Sequence, residues 1–292
     1  MTFSSRQLAT LAMLGAVAIY GTNFAVSRHG ILYGLTPNDL TALRFGVASV
    51  LLAPLFLRAG GFADCAGIGW GRALILTLTS GLPMTLLMMQ GIALSPAAHG
   101  ASIAPGTVTV VGVIGGLLLF GVKPSRNTLI GIAVVLAGLT TITVAAGSSD
   151  SRNILLGDLC FLGVGLIWGS YPLLLQRWKV DALRACAVMA ILSALVFLPW
   201  YGLEGFANLA KLPLSVVAFH AVNQGILNMV VGLWLWGYAV KLIGAASAGQ
   251  FPPLIPVIGT LTAIPLLGEW PGPMQWIGVA LIIGGLVVAA QK

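Results

Sequence analysis

Charged side chains are scarce in this chain: 7 acidic and 14 basic residues among 292, or 7% of the total, against 58% hydrophobic. A soluble domain of this length covers itself with far more charge, so the composition excludes one and points to a polytopic membrane protein. Cysteine is scarce too. Cys65, Cys160 and Cys186 stand far apart without CxxC or Cys/His metal spacing, which leaves them as packing or loop residues. The three histidines, His29, His99 and His220, form no HExxH pair, and neither a GxSxG elbow nor a GxxxxGK[ST] phosphate cradle occurs. Asp39, Asp64, Asp150, Asp158, Asp181, Glu204 and Glu269 read as helix-end or loop residues, not as paired carboxylates at membrane depth. Nothing in these counts asks for an enzyme, a metal or a cofactor. The basic excess, a net charge of +7, is dispersed over loops with no stripe or cluster, which argues against a nucleic-acid surface.

What the chain has is apolar sequence in long runs. A helix needs roughly 20 apolar residues to cross a bilayer, and ten runs are set off by charges, prolines and glycines: Leu8–Val26, Leu40–Leu57, Ala73–Leu94, Ala98–Phe120, Leu129–Ala146, Leu155–Leu175, Ala185–Trp200, Leu214–Val240, Gly244–Leu267 and Trp276–Ala290. The first follows a single Arg as a signal peptide would, but it is too long for one and its Tyr20-Gly21-Thr22-Asn23 recurs as Trp168-Gly169-Ser170-Tyr171, so it is read as a retained helix. The polar link 147–153 divides the runs five and five, into repeats 1–147 and 148–292. Residues 105–139 align without a gap on 252–286 at an offset of 147: Pro105 meets Pro252, Gly121-Val122-Lys123-Pro124 meets Gly268-Glu269-Trp270-Pro271, and Gly131 and Gly138 meet Gly278 and Gly285.

An odd number of crossings per repeat turns the second upside down relative to the first. The expected fold is therefore an all-α integral membrane protein of ten transmembrane helices, two inverted five-helix repeats around a central cavity. Charge sets the orientation. With the amino terminus in the cytoplasm, Arg6, Arg58, Arg72, Lys123, Arg126, Arg177, Lys179, Arg184, Lys241 and Lys292 fall inside, and Arg28, Arg44, Arg152 and Lys211 outside. That asymmetry favours both termini cytoplasmic.

Helix 8 of the ten carries the clearest polar stripe: His220, Gln224 and Asn228 follow at i, i+4 and i+8, with Asn223 beside them. The stripe reads either as solute-binding groups or as interhelical hydrogen-bond glue. Tyr20 and Asn23 share a face of helix 1, and their repeat counterparts Trp168 and Tyr171 share one of helix 6, so a pseudo-twofold would set them on opposite walls of one cavity. Packing aromatics are the alternative. Helix 3 offers Thr85 and Met88, methionine being adaptable to irregular apolar shapes. Trp234 and Trp236 cannot both face inward, and Trp234, six beyond Asn228 and ten beyond Gln224, is favoured as the closer to the amide stripe. Pro105 and Pro252 break or kink helices 4 and 9, which makes Ser102, Gln250 and Phe251 candidate contacts and both prolines candidate hinges. Gly21 and Gly169, with Gly112-x-x-x-Gly116 and Gly165-x-x-x-Gly169, are close-packing or yielding points.

The Gly-x-x-Pro turns, the kinked fourth helices, the small-residue fifth helices and the Tyr20-Gly21-Thr22-Asn23-Phe24 and Trp168-Gly169-Ser170-Tyr171-Pro172 openings resemble the drug/metabolite transporter superfamily in its EamA-type branch, over nearly the whole chain. Within it the chain is most similar to bacterial aromatic amino acid exporters of the YddG kind. That resemblance implies export of aromatic and other apolar amino acids, or of amphiphilic metabolites, across the bacterial inner membrane by a multi-pass protein.

No Lys or Arg is expected deep in the cavity, which speaks against carriers of phosphate esters, and no deep carboxylate, which speaks against a cation pump and an obvious proton relay. A neutral or zwitterionic solute carried without coupling, or with weak proton linkage, is the expected function. A broad-specificity exporter and a channel are the alternatives. The partners expected are a small-molecule solute and membrane lipids, with a monomer favoured.

Overall fold

The computed structural model describes residues 5–95, 97–145, 151–204, 206–268 and 270–290. Glu269, Lys292 and most of the link between repeats lie outside the described residues. The chain runs through α1 (Ser5–Leu32), α2 (Pro37–Arg58), α3 (Trp70–Ser80), α4 (Leu82–Leu94), α5 (Ala97–Phe120), α6 (Arg126–Ala145), α7 (Ser151–Trp178), α8 (Ala182–Glu204), α9 (Ala207–Lys211) and α10 (Leu214–Ala221). A π-helical stretch, Val222–Gly232, leads into α11 (Leu233–Ile243), α12 (Ala245–Ala248), α13 (Leu254–Leu267) and α14 (Pro273–Ala290). Eight helical segments are long and apolar enough to cross a bilayer, and the shorter apolar α13 and α14 complete ten crossings. Leu118, Val144 and Val50 stand out from the bundle, each more than two-thirds exposed, where lipid rather than water is the solvent.

Three crossings depart from plain α-helix. The third is broken at Gly81, whose backbone leaves the helical region just ahead of Pro83. Proline supplies no N–H and crowds the preceding turn, and the freed Leu82 N–H is taken up by Ser193 Oγ of α8 at 3.0 Å. The eighth passes from α10 through the π stretch to α11 without a turn. In the ninth, residues 249–253 separate α12 from α13, so Pro252 sits in a true break, whereas Pro105 lies inside the uninterrupted α5.

Packing follows a twofold relation between the halves. α1 packs on α13 as α7 packs on α5, α11 packs on α1 as α4 packs on α7, and α2–α8 and α6–α14 are self-paired. Glycine contacts give the sense of that relation. A Cβ on Gly131 would sit 2.5 Å from the Gly285 carbonyl oxygen, and one on Gly138 would sit 2.7 Å from that of Gly278. The pairing is crossed, early in α6 with late in α14, so the two helices run antiparallel. Since Gly131 and Gly278 are equivalent in the repeat, the halves are inverted. Val135, Leu139, Ile142, Val279 and Ile282 form a separate small core between this pair, away from the main one.

Candidate functional site

Five crossings converge on a chamber in the main core. α1 supplies Tyr20, Asn23 and Phe24, α2 supplies Arg44, α4 supplies Met84 and Met88, α7 supplies Trp168 and α11 supplies Leu233; the space they enclose is only ≈ 10 Å³. Two of its lining rings, Tyr20 and Trp168, belong to an aromatic trio with Trp236. The Tyr20 ring meets Trp168 edge-on at 5.1 Å and Trp236 at 6.0 Å, and the two indoles lie 5.5 Å apart. These separations suit mutually attractive edge and tilted ring contacts. The pseudo-twofold builds the wall. A Cβ on Gly21 would come within 2.7 Å of Ile258 Cβ, and one on Gly169 within 2.9 Å of Val111 Cβ, the equivalent residue of the other repeat. Each glycine thus lets α1 or α7 close on its partner helix one residue after Tyr20 or Trp168, which makes them close-approach points.

The buried Trp of helix 8 is Trp236, 1% exposed, in place of Trp234, which is 42% exposed and lies against Tyr238. Counting at 3.6 residues per turn leaves Trp234 about 120° and Trp236 about 80° from Asn228, and the i→i+5 pairing of the π stretch, with more residues in each turn, brings Trp236 nearer still to the face of Asn228. Asn228 itself holds that stretch, its Nδ2 donating to Asn223 O at 2.8 Å and to Asn223 Oδ1 at 3.1 Å. Gln224 Nε2 donates to Asn23 Oδ1 (3.0 Å) and Ser27 Oγ (2.8 Å), tying the stripe to α1. Part of the stripe is therefore interhelical glue. Gln224 Oε1 and Asn228 Oδ1 nonetheless have no partner within the protein, nor do Tyr20 Oη, Thr85 Oγ1, Tyr171 Oη and Trp236 Nε1, all buried. Of these residues Tyr20 lines the chamber itself, and the others are buried unpaired atoms of the surrounding crossings, each of which asks for a reason other than packing.

Arg44 overturns the expectation of an uncharged interior. Placed among the outer basic residues by its distance from the helix end, it stands about 10 Å into α2, is 2% exposed, and lines the chamber with Nε and Nη1 lacking any partner. α2, which carries it, packs chiefly on α8, the π stretch and α4. The sequence does carry a signal: an arginine between Leu43 and Phe45 within an apolar run is a functional candidate on that ground alone.

Other candidates lie apart from the chamber. Ser102 is buried but faces a recess between α5 and α6 lined by Gly106, Leu136 and Thr140. Gln250 and Phe251 sit at the break before α13, Phe251 packing on the main core. Among the described residues no cluster of His, Cys, Asp or Glu has metal-site geometry.

The two ends of the bundle differ. At the end that carries the amino terminus, one turn beyond Tyr171 and Trp236, Gln176, Lys179, Asp181, Lys241 and Gly244 surround a recess of ≈ 570 Å³. Polar ties close the opposite end. Asp158, inside α7 rather than at its tip, accepts from Ser95 Oγ at 2.8 Å and from His99 Nδ1 at 2.9 and 3.0 Å. Asp39 accepts from Tyr201 Oη, from Asn208 Nδ2 (2.6 Å) and from the Thr36 N–H (2.7 Å), joining α2 to α8 and α9.

Comparison with known proteins places this geometry in a group. The profile of the EamA-like transporter family matches twice, over residues 7–144 and 155–291. A probable terminal-alkyne amino-acid exporter of Streptantibioticus cattleyicolor is 27% identical, covering 97% of this chain and 94% of its own. A probable amino-acid metabolite efflux pump of Salmonella typhimurium is 25% identical (97% and 95%), and an uncharacterized transporter of Bacillus subtilis 24% (97% and 87%). One solved structure superposes with a TM-score of 0.73 at 21% identity, over 97% of both chains.

Proposed function

Because the chain belongs to the EamA-like transporter family, we propose that it is a secondary transporter exporting amino acids, aromatic and other apolar ones first, across the bacterial inner membrane by alternating access. The observation that carries the reading is the chamber on the pseudo-twofold, lined by Tyr20 and Trp168 together with Met84 and Met88, with Trp236 packed against both rings. Rings and thioethers accept flat or branched apolar side chains of several shapes. Two relatives named as an amino-acid exporter and an amino-acid metabolite efflux pump support the same solute class.

In this mechanism repeats 1–147 and 148–292 move against each other about the chamber, which is closed down to about the space of one water here and widens to admit the solute. The recess beside Lys179 and Lys241 is the entry, on the cytoplasmic side if the basic residues set orientation. Release then requires the Asp158–His99 and Asp39–Tyr201 ties to part, with the break at Pro252 as the bending point. The adaptable Met pair supports a second reading, a broad-specificity exporter of amphiphiles. Reconstituted protein in vesicles preloaded with tryptophan tests the choice: saturable uptake of labelled tryptophan stimulated by internal tryptophan is expected. Flux that never saturates and ignores the internal solute overturns the carrier in favour of a channel, and competition by bulky amphiphiles but not by phenylalanine selects the second reading.

A further inference from the structure

We propose that Arg44 makes the central chamber a carboxylate-binding site, the guanidinium holding the acid group of the solute while the aromatic trio takes its side chain; this rests on the transport reading above. The guanidinium is a fork of N–H donors whose planar geometry matches a carboxylate bidentately. Here two of its nitrogens, Nε and Nη1, are enclosed and unpartnered in a side chain 2% exposed, at the chamber wall. A buried cation is tolerated when something of opposite charge meets it. Among the described residues none is seen to meet it with that charge. Asp39, five residues earlier on the same helix, is committed to Tyr201, Asn208 and the Thr36 N–H, and Asp158 to His99 and Ser95.

The facing helix offers none either, since α8 carries no charged residue between Arg184 and Glu204. The positive charge is thus one-sided, on α2, although the repeat makes the surrounding walls alike. A one-sided charge in a twofold chamber gives an amino acid a single orientation, acid group toward α2 and ring toward Trp168 and Trp236. It also sets selectivity: a primary amine that lacks the acid group brings a second positive charge to Arg44 and is rejected.

The test compares three indoles as competitors of labelled tryptophan counterflow: tryptophan, tryptamine, which lacks the carboxylate, and indole-3-propionate, which lacks the amine. In the native protein, tryptamine should require about tenfold or more the concentration of indole-3-propionate for equal inhibition. Arg44→Gln should bring that ratio near one, and Arg44→Lys should keep part of it; the ratio does not depend on how much variant folds. Tryptamine competing as well as indole-3-propionate in the native protein, or Arg44→Gln preserving the native ratio, overturns the proposal while leaving transport intact. Thermal unfolding in detergent separates the two readings. Stabilisation by indole-3-propionate that Arg44→Gln abolishes, in a protein that carries no amino acid, sustains the anion site and removes the transport reading. Stabilisation by inorganic phosphate with none by the carboxylate overturns the carboxylate assignment.

Discussion

Two tryptophans two residues apart show how much hangs on single positions. Trp236 touches both Tyr20 and Trp168 in the chamber wall, and Trp234 lies half in the open against Tyr238. Truncating Trp236 to Ala should destabilise the protein by about 3–5 kcal/mol through the cavity it leaves and lower tryptophan counterflow by more than about tenfold. Trp234→Ala should leave unfolding temperature and counterflow close to native. Equal effects of the two would show that the chamber wall is misassigned. The places of Tyr20, Asn23 and Trp168 in the chamber lining were legible from the sequence because a short α-helical face repeats regularly and the repeat duplicates it, whereas Met88 stood out only as an adaptable side chain. Trp236 was not legible, because at regular helical spacing it and Trp234 stand about equally far from the Gln224–Asn228 stripe, and the change of winding that brings Trp236 onto that face belongs to the fold.

At the scale of elements, polar ties decide which end of the bundle is shut. Ser95, His99 and Asp158 join the start of α5 to α7, and because a carboxylate only accepts, His99 Nδ1 carries the proton and donates. Asp158→Asn keeps the shape and removes the charge from these bonds. It should lower stability by about 1–3 kcal/mol, read from thermal unfolding in detergent, and raise the counterflow rate if parting this tie limits release. An unfolding temperature unchanged by the substitution would mean that the tie carries no energy. The broken crossings follow from local chemistry: Pro83 behind Gly81, and Pro252 and Pro253 behind Gly249, lack the N–H that would continue the ladder and crowd the preceding turn. Pro105 shows the limit of that rule, since α5 continues past it.

For the molecule as a whole, the α6–α14 pair is the seam at which both repeats meet back to back. Its glycines bring backbone against backbone, with Gly138 and Gly278 approaching within the space of one Cβ. Helices in lipid associate through close packing, since a hydrophobic drive between them is absent. Gly138→Leu should therefore push α6 from α14 and cost about 1–3 kcal/mol of overpacking. The measurement is thermal unfolding in detergent, and an unfolding temperature equal to the native one would dissolve the seam.

The sequence by itself determined the solvent, the ten crossings, the internal repeat and its inversion, because hydropathy over 20 residues and the parity of five crossings are properties of the chain alone. The tertiary structure decided which polar groups are enclosed. Arg44 and Asp158 lie only a few turns from their helix ends, where distance along the chain suggests an interface, and neighbouring helices bury one and tie the other. Burial is a property of what packs around a residue, and those partners come from crossings far away in sequence, as with Gln224 and Asn23, 201 residues apart.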